Sequence, residues 1–393
     1  MTDLRRSSAL AMLLLSLLSG CAGATRTSGA PPPLDPAKPD DALVQRGLDA
    51  FKAGGVAASE GRALLVADPV ANAVAAQARF DAAIASYLEA RALFDQVATT
   101  YPVSLRLSQA AVMGGRCSYE IGTIDPLNEV TAFSDARTRL AAYAASWPTG
   151  WEGDTAAYFL GRSRYRLAGL TPPTDGYDTA RADFRRSLAL NPAGLYADNA
   201  LYYVGRCDYE LAWPVISGVT PLPAAPAFAP TKALLDEAEV AFVELLRRFP
   251  ASSYRDNATY YLGRCYLDEP TDNTLSGVER MANLDLALTR FGEVIALTSS
   301  LYVDGARYWR GRTRFALSFY RLPAPELAAA LADFQAVRSS SSYKDNALAY
   351  ESRTHARAGN CPAARAAFAA LQAAYPLSTW ITSTASYLLV NGC

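Results

Sequence analysis

Aspartate, tyrosine and arginine return at a fixed spacing down this chain. Counted from a recurrent glycine, positions −7, −3, +1 and +4 read Asp154, Tyr158, Arg162 and Tyr165, then Asp198, Tyr202, Arg206 and Tyr209. Two more sets read Asp256, Tyr260, Arg264 and Leu267, and Asp304, Tyr308, Arg312 and Phe315. At 3.6 residues per turn each set shares one side of a helix. Arginine brings planar, bidentate donors for carboxylates, and tyrosine brings rigid contact area with a polar tip. Stacked units carrying these sets would hold an extended peptide or a C-terminal carboxylate. The candidate groove residues are Tyr158, Arg162, Tyr165, Tyr202, Arg206, Tyr209, Tyr260, Arg264, Tyr308 and Arg312. A structural reading stands beside this one. Arg116–Glu120, Arg206–Glu210 and Arg264–Asp268 are i, i+4 pairs that would satisfy the arginines internally.

Nothing else in the chain has the form of a reaction centre. The single histidine, His355, has no nucleophile motif beside it, and the chain contains no CxxC, HExxH, GxSxG or phosphate-binding loop. No metal site or cofactor is expected, and the chain reads as a binding protein rather than an enzyme. A formal net charge of −1 over 393 residues gives no electrostatic case for nucleic acid.

The elements that position the ladder are repeats. A proline or its stand-in precedes each Gly-Arg pair by thirteen residues: Pro102 leads to Gly115-Arg116, Pro148 to Gly161-Arg162, Pro192 to Gly205-Arg206 and Pro250 to Gly263-Arg264. Thr298 to Gly311-Arg312 and Ser339 to Ser352-Arg353 keep the register. A fixed interior with variable gaps marks a repeated structural unit with loop insertions. First helices are expected near 105–121, 152–168, 196–212, 254–268, 302–320 and 343–358. Second helices are expected near 133–147, 177–190, 231–248, 281–297, 325–338 and 361–375, with a closing helix over 377–390. Upstream, 41–52 reads as a short amphipathic helix stopped by Ala53-Gly54-Gly55, and 71–100 as a long alanine-rich helix.

Local chemistry supports this division. Proline after an aromatic, as in Tyr101-Pro102 and Phe249-Pro250, ends a helix because it disfavours αR in the residue before it. Asp154, Asp198, Asp256, Asp304 and Asp345 fall where a first helix starts and can bond its free N–H groups. A glycine held at one helical position costs about 1 kcal/mol, so it needs a packing reason, expected to be close approach of the paired helix.

Six cysteines divide by position. Cys117, Cys207 and Cys265 each follow a Gly-Arg pair and read as small apolar core residues with free thiols. Cys361 opens the last second helix and Cys393 follows the antiparallel closing helix, so the two ends are expected to meet in a disulfide. Cys21 ends a stretch that starts with Arg5-Arg6 and an apolar run over 9–18, too short to span a bilayer. Leu18-Ser19-Gly20-Cys21 resembles the lipobox of bacterial lipoproteins, which implies cleavage before Cys21 and acylation of its sulfur. Ala22 after it implies sorting to the outer membrane. Three segments follow: a signal peptide over 1–20, a lipidated cysteine and flexible linker over 21–40, and a helical repeat domain over 41–393.

The repeats resemble those of tetratricopeptide-repeat proteins. An aromatic lies eight residues before the proline in Phe94 to Pro102, Phe184 to Pro192, Phe242 to Pro250 and Phe368 to Pro376. The runs at 196–206 and 254–264 are similar to the first helix of periplasmic members. Those members include the lipoproteins of the outer-membrane β-barrel assembly machinery and the Tol–Pal coordinators. Two departures are intervals longer than 34 residues and a Phe291 out of register. The resemblance implies an all-α, right-handed superhelical solenoid of about seven helix pairs plus a C-terminal capping helix.

The longest inter-helix segment, 213–230, is apolar and proline-rich. Trp213, Ile216 and Phe228 could form a docking rim or fold back as an apolar cover. The functional expectation is an outer-membrane-anchored periplasmic scaffold, tethered by its lipid, that binds envelope proteins or extended peptides. The alternative is a glycan- or nutrient-binding lipoprotein built on the same helices.

Overall fold

The computed structural model describes residues 32–171, 176–216, 229–268 and 275–393. The signal segment and Cys21 lie outside the described residues, as do Phe228 and the side chain of Ile216. Among the described residues the chain is all-α, with fifteen helices and no strand. In chain order they alternate as first and second helices of tetratricopeptide-like repeats, with a closing helix last.

Two compact units divide the chain, Met1–Leu211 and Ala212–Cys393. The first holds α1 (Pro39–Ala67), α2 (Ala73–Thr100), α3 (Leu107–Ile124), α4 (Glu129–Ser146), α5 (Gly153–Leu170), α6 (Gly176–Leu190) and most of α7 (Ala197–Ile216). The second holds α8 (Ala229–Arg248), α9 (Arg255–Asp268), α10 (Gly277–Ala296), α11 (Val303–Leu317), α12 (Pro323–Gln335), α13 (Lys344–Arg357), α14 (Cys361–Ala374) and α15 (Trp380–Val390).

The expected stop at Gly54-Gly55 does not occur. Helix α1 runs 29 residues straight through it. Packing supplies the reason. Gly47, Gly54 and Gly61 lie seven residues apart on α1, and Phe94, Tyr87 and Phe80 lie seven apart on the antiparallel α2. A Cβ on each glycine would sit 2.7 Å from Phe94, 2.9 Å from Tyr87 and 2.7 Å from Phe80. Each aromatic ring therefore lies directly on the α1 backbone. Burial of three large rings outweighs a propensity cost of about 1 kcal/mol per glycine.

The same interlock recurs at the repeat glycines. Gly161 takes the Phe184 ring, Gly263 takes Phe291 and Gly311 takes Phe334. Phe291 is thus a full equivalent of Phe184 although its register in the sequence is off by one. The slip is absorbed in the turn after the helix.

Three first helices, α5, α9 and α13, are also stapled at their starts. Asp256 accepts from the Asn257 N–H at 2.8 Å with one oxygen and from Ser300 Oγ at 2.6 Å with the other. Asp345 does the same with Asn346 and Ser378, and Asp154 with Thr155 and Asn191. The serines in turn accept the N–H two residues on, as Ser300 does from Tyr302. The aspartates therefore satisfy a free N–H and also tie the head of one pair to the turn that leads into the next.

Residues 32–38 are not free tether. Leu34 packs on the core of the first unit, and the Asp35 N–H donates to Asp41 Oδ2 at 2.7 Å. Asp41 also holds Arg106, at 2.6 Å to Nε and 3.2 Å to Nη2. Both side chains are about 5% exposed, at 5% and 4%.

Candidate functional site

The −3 tyrosines are core residues. Tyr158, Tyr260 and Tyr308 are 1–2% exposed, and Tyr202 and Tyr209 are also buried. Their rings stack on aromatics of the following repeat: Tyr158 on Tyr196 at 4.5 Å and Tyr308 on Tyr343 at 5.4 Å. The Tyr260 hydroxyl meets that of Tyr343 at 2.9 Å. Surface presentation of these five side chains is closed off by burial. Tyr165 is half-buried and accepts from Arg206 Nη2 at 3.1 Å.

The arginines work between repeats. Arg116 lies over Phe159 at 4.7 Å, Arg162 over Tyr203 at 4.3 Å, Arg264 over Trp309 at 3.4 Å and Arg312 over Tyr350 at 4.8 Å. In every case the ring belongs to the −2 position of the next first helix. Each such stack contributes on the order of 0.5–2 kcal/mol. Arg206 pairs with Glu210, and Arg264 donates to Asp268 from Nε at 3.1 Å and Nη2 at 2.8 Å. Among the described residues Arg116 and Glu120 form no ion pair. Arg116 Nη1 lies 3.6 Å from Met113 Sδ instead, and its guanidinium also covers Phe51 at 5.0 Å. The −2 aromatics were available in the sequence as a repeated position, but the 3.6 period groups −3 with +1 more readily than −2.

Trp213 belongs to the last turn of α7 and not to a loop, since α7 continues through Pro214 to Ile216. Its half-buried ring lies 5.2 Å from the Arg264 guanidinium.

The second unit holds a cavity of about 310 Å3 on the side of its first helices. Arg312, Phe315, Ala316, Phe319 and Tyr320 of α11 and the segment after it line it, with Tyr350 of α13. Phe319 is 57% exposed and Tyr320 42%. Phe315 packs edge-on to both Phe319 and Tyr350, at 5.6 and 5.8 Å, and Arg357 lies 3.4 Å over Phe319. Exposed aromatics beside arginine are the composition found where partner proteins are gripped.

A half-buried acid with one buried oxygen stands at the head of α5. Glu152 stands nine residues before its glycine, where Tyr196, Tyr302 and Tyr343 stand in other repeats. Its Oε2 is buried without a hydrogen-bond partner. Burial pushes the carboxyl up to about 8 from an ordinary 4.5, with Arg116 pulling it down and Asp154 adding to the rise. The folded chain then holds a proton that the unfolded chain releases above 4.5. That contribution to stability is complete below 4.5 and lost as pH rises through about 8. Melting followed by circular dichroism is expected to show the first unit weakening over this window, and Glu152→Gln to remove that slope.

Cys117, Cys207 and Cys265 are buried free thiols, and burial pushes Cys117 up to about 12. They are inert core groups. Cys361 and Cys393 form a disulfide with Cα atoms 4.9 Å apart, tying α14 to the end of α15. Intact mass after alkylation in denaturant is expected to show both blocked until a reductant is added. Among the described residues no group of three or more metal-ligating side chains occurs, and no helix is long and apolar enough to cross a membrane.

No protein-family model matches the chain, and no curated protein does. Among solved structures it is similar to PilW, a widely conserved type IV pilus biogenesis factor, at 16% identity and a TM-score of 0.43, over 71% of this chain and 99% of that one. A tetratricopeptide repeat protein from Parabacteroides merdae gives 11% identity and 0.42, over 89% and 100%. Yeast Tom70 gives 13% and 0.38, over 99% and 71%.

Proposed function

We propose that this chain is a scaffold that binds partner proteins, anchored by a lipid on Cys21 in the outer membrane and facing the periplasm. Its work is in assembly or maintenance of the cell envelope. The observation that carries the binding role is the cavity of the second unit, where Arg312 sits among Phe315, Phe319 and Tyr320 with two of the three rings open to solvent. The interior of the chain is otherwise spent on holding repeats together: tyrosines are buried and arginines are stacked. The anchor rests on the lipobox-like Leu18-Ser19-Gly20-Cys21. It would supply local concentration at the membrane surface.

Photo-cross-linking in native membranes tests the reading. Benzoylphenylalanine placed at Phe319 or Tyr320 is expected to capture one envelope protein that the same group at the exposed Val240 does not. Metabolic labelling with a fatty acid is expected to mark the wild type and not Cys21→Ala. Absence of any protein adduct at Phe319 and Tyr320 would remove the scaffold reading and favour a glycan ligand.

A further inference from the structure

Three turns of the first unit form an edge without charge. They lead into α3, α5 and α7, so all lie at the same end of the first helices. Residues 97–105, 140–151 and 187–197 hold no aspartate, glutamate, lysine or arginine, in a chain that is 19% charged. Large apolar side chains stand out from this edge. Ten residues before its glycine, each of these repeats carries Leu105, Trp151 or Leu195. Leu105 and Leu195 are 76% and 68% exposed, Trp151 is 37%, and Val103 beside Leu105 is 93%. Charged groups that border the edge are held: Arg106 is buried on Asp41, and Arg186 bonds the Pro148 carbonyl at 3.0 Å. In the second unit the same place is mostly polar. It carries Ser253 and Ser342, with Leu301 the exception, and Arg247, Arg248 and Arg338 stand just before these serines.

The N-terminal segment ends at this edge. Arg106 Nη2 holds the Pro32 carbonyl at 2.7 Å, and Leu105 is the residue next to Arg106. Cys21 stands eleven residues before Pro32. That length of chain spans at most about 40 Å when fully extended. An acylated Cys21 therefore keeps a bilayer within reach of Val103 and Leu105.

We infer that this edge lies on the phospholipid surface that receives the Cys21 acyl chains, with Val103, Leu105, Trp151 and Leu195 seated among headgroups and upper acyl chains. The inference rests on the lipid anchor of the proposed function and deepens it: the lipid tethers the chain and the edge orients it. Contact with lipid removes exposed apolar surface from water. Tryptophan suits that depth, since its ring is apolar and its N–H stays near water. An edge without charge binds by burial rather than by attraction to anionic lipid, so the contact is insensitive to salt.

Full-length lipoprotein, extracted in detergent and reconstituted into vesicles of phosphatidylethanolamine and phosphatidylglycerol, supplies the test. A nitrobenzoxadiazole label is attached at Leu105→Cys, at Leu195→Cys or, as a control, at Leu127→Cys, an exposed site beyond the far end of α3. Cys117, Cys207 and Cys265 are buried and do not compete for the label. Phospholipid with a doxyl quencher in its acyl chain is expected to remove most of the emission at Leu105 and Leu195, in low and high salt alike, and none at Leu127. Val103→Asp with Trp151→Asp should abolish that quenching while the chain still floats with the vesicles. Both changes fall at exposed turn positions, so the melting point should stay near that of the wild type. A chain that floats with its labels unquenched, or quenched equally at Leu127, would overturn the inference and leave the anchor standing. Labels that brighten without quenching, the sign of a protein covering the edge, would overturn it as well. A chain that carries no fatty acid on Cys21 and does not float would remove both.

Discussion

Asp41→Ala is expected to cost the first unit about 3–5 kcal/mol, since it strands a buried arginine. Arg106 is 4% exposed at its side chain, and Asp41 supplies the only carboxylate it meets among the described residues, at 2.6 Å. Nη2 also donates to backbone, reaching the carbonyls of Pro32 and Pro33 at 2.7 and 3.0 Å. Loss of Asp41 also removes the acceptor of the Asp35 N–H. Residues 32–38 should then come away from the core and become open to proteolysis. Denaturant melts give the stability loss and limited digestion gives its location. The double variant Asp41→Leu with Arg106→Met should recover most of the loss, because a buried pair is held at a desolvation cost that apolar groups of similar size do not incur. A single variant with unchanged stability would mean that water reaches Arg106.

This pair shows what sequence can and cannot reveal. Asp41 and Arg106 are 65 residues apart, and Arg106 stands nine residues before its glycine, where the other repeats carry Glu152 or a tyrosine, so the repeat pattern does not betray the pair. The repeat skeleton was legible because its constraints are local. Proline after an aromatic ends a helix, aspartate starts one, and a glycine seven residues further on marks a close contact. Helix α1 was misjudged for a physical reason. Gly54-Gly55 is a stop by propensity, but the stop is overridden when Tyr87 fills the space a side chain would take. The signal was present as two series of sevens, Gly47, Gly54, Gly61 and Phe80, Tyr87, Phe94. Burial of the tyrosine ladder was not legible from periodicity. A first helix in a stacked array touches its own partner and both neighbours, so only part of its circumference is left to solvent. Position −3 falls inside that contact, and position +8, Phe319, falls outside it.

The same substitution at two helical glycines of the second unit should have opposite signs. In Gly311→Ala the new Cβ would meet Phe334 at 2.6 Å, with two further ring atoms at 2.9 Å. Phe334 is fully buried, so its ring has no open space into which to withdraw. Forcing a methyl into such a contact costs about 1–3 kcal/mol, and the pair α11–α12 should separate or shift. Gly292 lies inside α10 with nothing within 4 Å of the position its Cβ would take. There Gly292→Ala removes only backbone freedom from the unfolded chain and should stabilise by about 0.5–1 kcal/mol. Thermal melts of the two variants against the wild type read both signs. Phe334→Leu combined with Gly311→Ala should regain part of the loss, since a smaller side chain leaves room for the methyl, while Phe334→Leu alone should destabilise by opening a void. If Gly311→Ala proved neutral, the ring would not rest on the α11 backbone, and the packing reason for the glycine at the head of each Gly-Arg pair would fail with it.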